Sequence, residues 1–201
     1  VLAHSRQLLY LHPTKTGGTS IEVGLLELEL KQRPCPEIDS FRSHMYSVSG
    51  ADSSHHWTYK ELVEEFPFLS SWESFMTTRN PYERVISEWR YQQSGNRAEN
   101  THYHLYDDIN GAIKNGAVRD SSFQYHWTPQ YEYVGPNTSI IPMEKIDEEW
   151  EKMGFSPISS LNVSKDKKEY KLDDDSLEII YKDFERDFEC FNYSSEFDPN
   201  T

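Results

Sequence analysis

The sequence predicts an α/β domain with a mostly parallel sheet flanked by helices. Short apolar runs alternate with stretches of helical period, which is the pattern of strands joined through helices. The first such pair is separated by a glycine loop, the opening of a βα unit, and no internal repeat interrupts the alternation. The length of 201 residues fits one domain, taken here as 1–201.

Gln7-Leu8-Leu9-Tyr10-Leu11 reads as a buried strand, closed by His12-Pro13 and the pair Gly17-Gly18. Ile21 to Leu30 places Ile21, Leu25, Leu26 and Leu28 among glutamates, a helix that ends near Pro34. Residues 31–54 are polar and irregular. Thr58 to Phe66 reads as a short helix stopped by Pro67, and Ser74 to Thr78 as a second strand. Asn80 and Pro81 supply an N-cap and a first-turn proline for a helix running to about Tyr91. Residues 95–130 are the least regular, with a helix around Leu105 to Lys114. Tyr131 to Val134 and Ser139 to Met143 read as short strands, and Ile146 to Met153 as a helix. In the last helix Asp175-Ser176-Leu177-Glu178 resembles a capping box. Leu177, Ile180, Tyr181, Phe184 and Phe188 then form an apolar stripe.

Aromatics make up 14% of the chain, which marks a globular rather than a disordered sequence. The net charge of −14 opposes binding to nucleic acid, to anionic membranes and to a heavily charged polysaccharide. An anionic ligand must therefore be held by a few local positive groups. Cys35 and Cys190 fit either one disulfide or two unpaired buried thiols, and no Cys/His spacing suggests zinc. Sequons at Asn137, Asn162 and Asn192 permit a secretory location. No apolar run reaches the ~20 residues of a membrane span. The chain starts without Met, consistent with removed N-terminal residues such as an anchor. The expected compartment is the cytoplasm for a microbial or viral source, and the Golgi lumen for a eukaryotic one that has lost such an anchor.

The sharpest feature is His12-Pro13-Thr14-Lys15-Thr16-Gly17-Gly18-Thr19-Ser20-Ile21-Glu22, set between strand and helix. Adjacent glycines allow a tight turn and close approach to a ligand. The N–H groups of residues 16–20 then open a helix, where anions bind. Lys15 adds a full charge, and Thr16, Thr19 and Ser20 add hydroxyls. A nucleoside-triphosphate P-loop carries its lysine after the glycines, whereas Lys15 precedes them. By itself the segment also fits a plain Gly-Gly turn beside a surface lysine.

Thr77-Thr78-Arg79-Asn80-Pro81-Tyr82-Glu83-Arg84-Val85-Ile86-Ser87 forms the second element. A rise of about 1.5 Å per residue sets Ser87 roughly 10 Å along the helix. An extended Arg79 reaches that face, so both can grip one phosphate. Taken alone, the segment also fits an N-capped helix with Arg84 and Glu88 paired on its surface.

Together the two elements resemble the sulfotransferases that use 3′-phosphoadenosine 5′-phosphosulfate (PAPS), particularly the Golgi carbohydrate type, with the heparan sulfate 2-O-sulfotransferases and short microbial relatives. In that family P-K-T-G-G-T-S binds the 5′-phosphosulfate, and R-x-P-x-x-R-x-x-S binds the 3′-phosphate. Lys15, Thr16, Gly17, Gly18, Thr19 and Ser20 match the first motif, and Arg79, Pro81, Arg84 and Ser87 match the second. One residue, Thr14, separates Pro13 from Lys15, a departure from the family's Pro-Lys. His56-Trp57-Thr58-Tyr59 stands where the family places its catalytic histidine. His126 to Gln130, Ile140 to Ile146, Ser160 to Lys165 and Asp183 to Tyr193 resemble further family segments. Of these, Ser160 to Lys165 corresponds to a loop that closes over the nucleotide.

The resemblance implies a P-loop-like sheet, PAPS as donor, no metal, and an acceptor hydroxyl compound, mostly a sugar or glycan. Lys15 suits the leaving 5′-phosphate, and a histidine suits removal of the acceptor proton, with a pKa near about 6.5. His56 aligns with the family's base, with His55 beside it and His126 as the substitute or as an acceptor-positioning residue. Lys165 is read as a nucleotide contact, with Lys167 and Lys168 in the same basic run. His102 and His104 form an H-x-H pair, two ligands without a third. Two other classes remain at this point, a P-loop-type nucleotide kinase and a non-catalytic nucleotide-binding protein.

Overall fold

Four strands form one sheet in the order β1-β2-β3-β4 in the computed structural model, which describes residues 2–30, 56–93, 106–119, 125–155 and 169–198. These are β1 (Leu2–Ala3), β2 (Leu8–Leu11), β3 (Glu73–Thr78) and β4 (Thr138–Pro142). β1 runs antiparallel to β2, while β2–β3 and β3–β4 are parallel, with Tyr10 opposite Phe75 and Met76 opposite Ile140. The α/β class with a mostly parallel sheet is thus the observed one. β2 is buried at every position, as a strand covered on both faces must be. The antiparallel Leu2–Ala3 is an addition that the sequence reading did not contain, being too short to show a period.

The chain divides into two compact units, Val1–Thr78 with Glu132–Asn162, and Arg79–Tyr131 with Val163–Thr201. The first unit holds the sheet, with α1 (Gly18–Leu30), α2 (Tyr59–Glu65) and α5 (Ile146–Lys152). Ile21 and Leu25 of α1 are fully buried with Tyr10, Phe75 and Trp150 in one apolar cluster. Each such side chain contributes roughly 1.5–3 kcal/mol on burial. The α2 start is a capping box, in which Glu61 N–H donates to Thr58 Oγ1 and Thr58 N–H donates to Glu61 Oε2.

The second unit holds α3 (Pro81–Gln93), α4 (Ile109–Lys114) and α6 (Asp174–Phe191). Its core joins Val85 and Trp89 to Ile113, Ile180, Phe184 and Phe188. Asn80 caps α3 as expected, its Oδ1 accepting from Tyr82 N–H at 2.9 Å. Arg84 and Glu88 are 2% and 1% exposed, so a surface ion pair is not what this helix carries.

Two local expectations are corrected. Tyr131 to Val134 is not a strand, because Gln130–Tyr133 turns as a 3-10 helix. Its Tyr-Glu-Tyr-Val alternation imitates strand period, but Tyr131 N–H donates to Asp187 instead of entering a ladder. The last helix is capped by Asp173, whose carboxylate accepts from Ser176 N–H at 3.0 Å, rather than by a box at Asp175. Any aspartate in this run can cap, and Lys114 lies nearer to Asp173, at 2.6 Å, than to Asp175, at 3.3 Å. Cys190 is a free and exposed thiol, not a buried one, and Cys35 lies outside the described residues.

Candidate active site

In the first unit the loop from β2 enters α1 at Gly18, three residues before the expected helix start. Lys15 and Gly17 both take left-handed backbone, with φ of 65° and 81°. Gly17 suits that conformation because it has no Cβ. Gly18 is glycine for a different reason. A Cβ there would lie 1.9 Å from His12 Nε2, so the imidazole occupies the space of the missing side chain. Thr19 and Ser20 fall in the first helical turn, where the Ser20 N–H donates to the Gly17 carbonyl at 3.2 Å.

A buried hydroxyl chain supports the loop from below. Thr16 Oγ1 donates to the Pro13 carbonyl at 2.8 Å, Thr77 Oγ1 donates to Thr16 at 2.9 Å, and Tyr10 Oη lies 2.8 Å from Thr77 Oγ1. A carbonyl only accepts and each hydroxyl has one proton, so the direction runs from Tyr10 through Thr77 and Thr16 to Pro13. Burial pushes the Tyr10 phenol well above its ordinary range, with the Thr77 hydrogen bond opposing. The Thr16 hydroxyl is therefore committed inside the protein, and of the three expected hydroxyl donors only those of Thr19 and Ser20 lie at least partly exposed.

His56 belongs to the same unit and packs its ring edge-on to His12, with centroids 4.5 Å apart. Its Nδ1 lies 2.9 Å from the His12 carbonyl oxygen. Because that oxygen can only accept, His56 holds its proton on Nδ1, and in the neutral ring Nε2 carries the lone pair. His12 Nδ1–H donates in turn to Glu22 Oε1 at 2.8 Å. His56 is thus brought to His12 at the start of the loop that carries Lys15, and His12 in turn to Glu22; to His12 and Glu22 the sequence reading gave no role. The ten-residue gap between His12 and Glu22 spans a loop and leaves no periodic signal.

The second unit carries Arg79 and Ser87. Arg79 Nη2 donates to Glu83 Oε2 at 3.3 Å, and Ser87 lies one turn beyond Glu83 on α3. The backbone of Arg79 is held by Gln130, whose Oε1 accepts from Arg79 N–H at 2.8 Å and whose Nε2 donates to the Arg79 carbonyl at 2.9 Å. Arg84 is not at the surface. Its Nη2 donates to the carbonyls of His126 and Thr128 at 3.0 and 2.9 Å, which makes it a brace for the 126–130 segment. His126 Nδ1 lies 3.0 Å from the buried Glu88 carboxylate, and its ring stacks on Tyr91. His55, His102, His104, Lys165, Lys167 and Lys168 lie outside the described residues. Among the described residues no group of three His, Cys, Asp or Glu side chains could hold a metal ion, and no helix is long and apolar enough to cross a membrane.

A mostly parallel sheet, a glycine loop opening a helix, a lysine in that loop and a histidine packed beside it all belong to the first unit. A model of the sulfotransferase family matches residues 1–194, and the chain belongs to that family. The match runs through both units. No curated protein and no solved structure matches the chain.

Proposed function

We propose that the protein transfers a sulfuryl group from PAPS to a hydroxyl of a sugar or glycan, with His56 as general base. The observation that carries this reading is the hydrogen bond from His56 Nδ1 to the His12 carbonyl, which fixes the His56 ring beside the residue that opens the loop. The N–H groups at the start of the loop and helix and the Lys15 ammonium suit the 5′-phosphosulfate, with the Ser20 N–H already given to the Gly17 carbonyl. The donor is a substrate, so the protein's part is to bind, orient and neutralise charge. The acceptor oxygen attacks sulfur as His56 Nε2 takes its proton. The sulfur–oxygen bond to the 5′-phosphate breaks, and Lys15 stabilises the charge left on that phosphate. For the second unit the same reading gives Arg79 and Ser87 the 3′-phosphate, and for Lys165 a nucleotide contact. The net charge of −14 favours a neutral or weakly charged acceptor.

Thermal unfolding with nucleotides tests the donor. The product 3′-phosphoadenosine 5′-phosphate should raise Tm well above the effect of ATP with Mg²⁺, because a ligand of the native state stabilises it by mass action. Greater stabilisation by ATP with Mg²⁺ would assign the chain a kinase-like donor. The acceptor is tested by a screen of neutral and charged sugars with labelled donor.

A further inference from the structure

Arg79 lies in the irregular connection between β3 and α3, where neither a sheet ladder nor a helical bond fixes its peptide groups. What holds it is the side-chain amide of Gln130, a residue with no exposed surface. One amide orientation alone satisfies the Arg79 N–H and the Arg79 carbonyl together, and the 2.8 and 2.9 Å bonds occupy both. Behind Gln130 sits Asp187, also without exposed surface. Its Oδ2 accepts from Gln130 N–H at 2.8 Å and from Gln130 Nε2 at 3.3 Å, and its Oδ1 accepts from Tyr131 N–H at 2.9 Å. The positive charge of Arg84 acts on the same carboxylate, and Arg84 is itself braced on the 126–130 backbone. A buried charge is a poor way to gain stability, since its desolvation offsets most of its attraction, and its better use is to enforce one geometry. Here the enforced geometry is that of one arginine's own backbone.

We propose that Gln130 and Asp187 are positioning residues for the 3′-phosphate of the donor, acting through the backbone of Arg79. This rests on the reading of Arg79 as the ligand of that phosphate. The guanidinium leaves a clamped Cα toward Glu83 and the α3 face that carries Ser87, so its aim depends on the clamp. Selection of a 3′-phosphorylated nucleotide thereby depends on fully buried residues about fifty and a hundred positions away.

The experiment is calorimetric titration of the full chain with 3′-phosphoadenosine 5′-phosphate and with adenosine 5′-phosphate, read as the ratio of the two dissociation constants. Gln130→Met keeps the side chain's length and removes both bonds. It should reduce the wild-type preference for the 3′-phosphorylated nucleotide by roughly tenfold, the worth of one well-placed bond to a charged group, with adenosine 5′-phosphate binding unchanged. Gln130→Glu keeps the acceptor for Arg79 N–H and the shape, and should fall between the two. It serves as the test should the methionine variant not fold. A wild-type ratio in these variants, while Arg79→Ala lowers it, overturns the proposal even if their Tm has dropped, since the network is then only structural. An unchanged ratio in Arg79→Ala instead removes the underlying reading of Arg79, and the proposal with it.

Discussion

Replacing Gly18 with alanine probes the packing of the phosphate loop. An ideal Cβ at this position falls 1.9 Å from His12 Nε2, 2.0 Å from Cδ2 and 2.6 Å from Cε1. Non-bonded carbons prefer about 3.5 Å, so the imidazole must retreat by roughly 1.5 Å. It has little room to do so. The ring is 6% exposed, its Nδ1 is tied to Glu22, and Tyr10 and His56 pack against it. Forcing such a group aside costs about 1–3 kcal/mol, while the better helix propensity of alanine returns at most about 1 kcal/mol. The net loss of up to about 2 kcal/mol lowers Tm by roughly 4–8 °C in a chain of this size. On a His12→Ala background the obstruction is gone, so the same Gly18→Ala change should be neutral or stabilising. Thermal unfolding of the four proteins in the cycle decides the matter. An equal loss on both backgrounds, or none on the wild type, would refute the placement of the His12 ring against Gly18.

Three further outcomes follow from the geometry. His56→Ala should keep nucleotide binding but lose roughly 10²–10⁴-fold in turnover, and the limb of the wild-type profile that rises with pH should vanish; steady-state rates across pH check both. Thr77→Val should cost about 1–3 kcal/mol in denaturant unfolding, because it removes the link between the buried Tyr10 and Thr16 hydroxyls, and adding Tyr10→Phe should recover part of the loss. The Lys114 hydrogen bond, with the Ser176 N–H, holds the Asp173 carboxyl down from 3.8 to about 2. A carboxyl whose pKa is lower folded than unfolded stabilises above its unfolded value. That stability should drain as the pH falls from about 3.8 through about 2, and Asp173→Asn should flatten this part of the acid-unfolding curve.

The elements that were legible in the sequence are those whose signal is local. Asn80-Pro81 announces the start of α3, and the Gly17-Gly18 pair announces the loop. The apolar run of β2 needs only its own neighbours to be read as a strand. Misreadings fall where two local patterns compete. Tyr131 to Val134 alternates like a strand and turns as a 3-10 helix because a distant carboxylate takes its first N–H. The start of α6 is ambiguous among three successive aspartates until the fold gives the Ser176 N–H to Asp173, with Lys114 of another helix reaching both Asp173 and Asp175. One signal was present and unread. Asp187 lies on the buried stripe of α6 with Ile180, Phe184 and Phe188, and a carboxylate in such company requires partners.

By itself the sequence determined the α/β class and the loop with its lysine, because periodicity and turn chemistry act over a few residues, while the choice of His56 over His55 and His126 came from the family resemblance. Tertiary structure alone decided which of those groups remain available for chemistry. It buried the Thr16 hydroxyl in a relay from Tyr10, turned Arg84 from a surface residue into a brace, and set the His56 proton on Nδ1. It also joined His12 to Glu22, and Gln130 to both Arg79 and Asp187. Each of these depends on a buried polar atom finding the one partner that the fold brings within about 3 Å, and sequence separation carries no record of that distance.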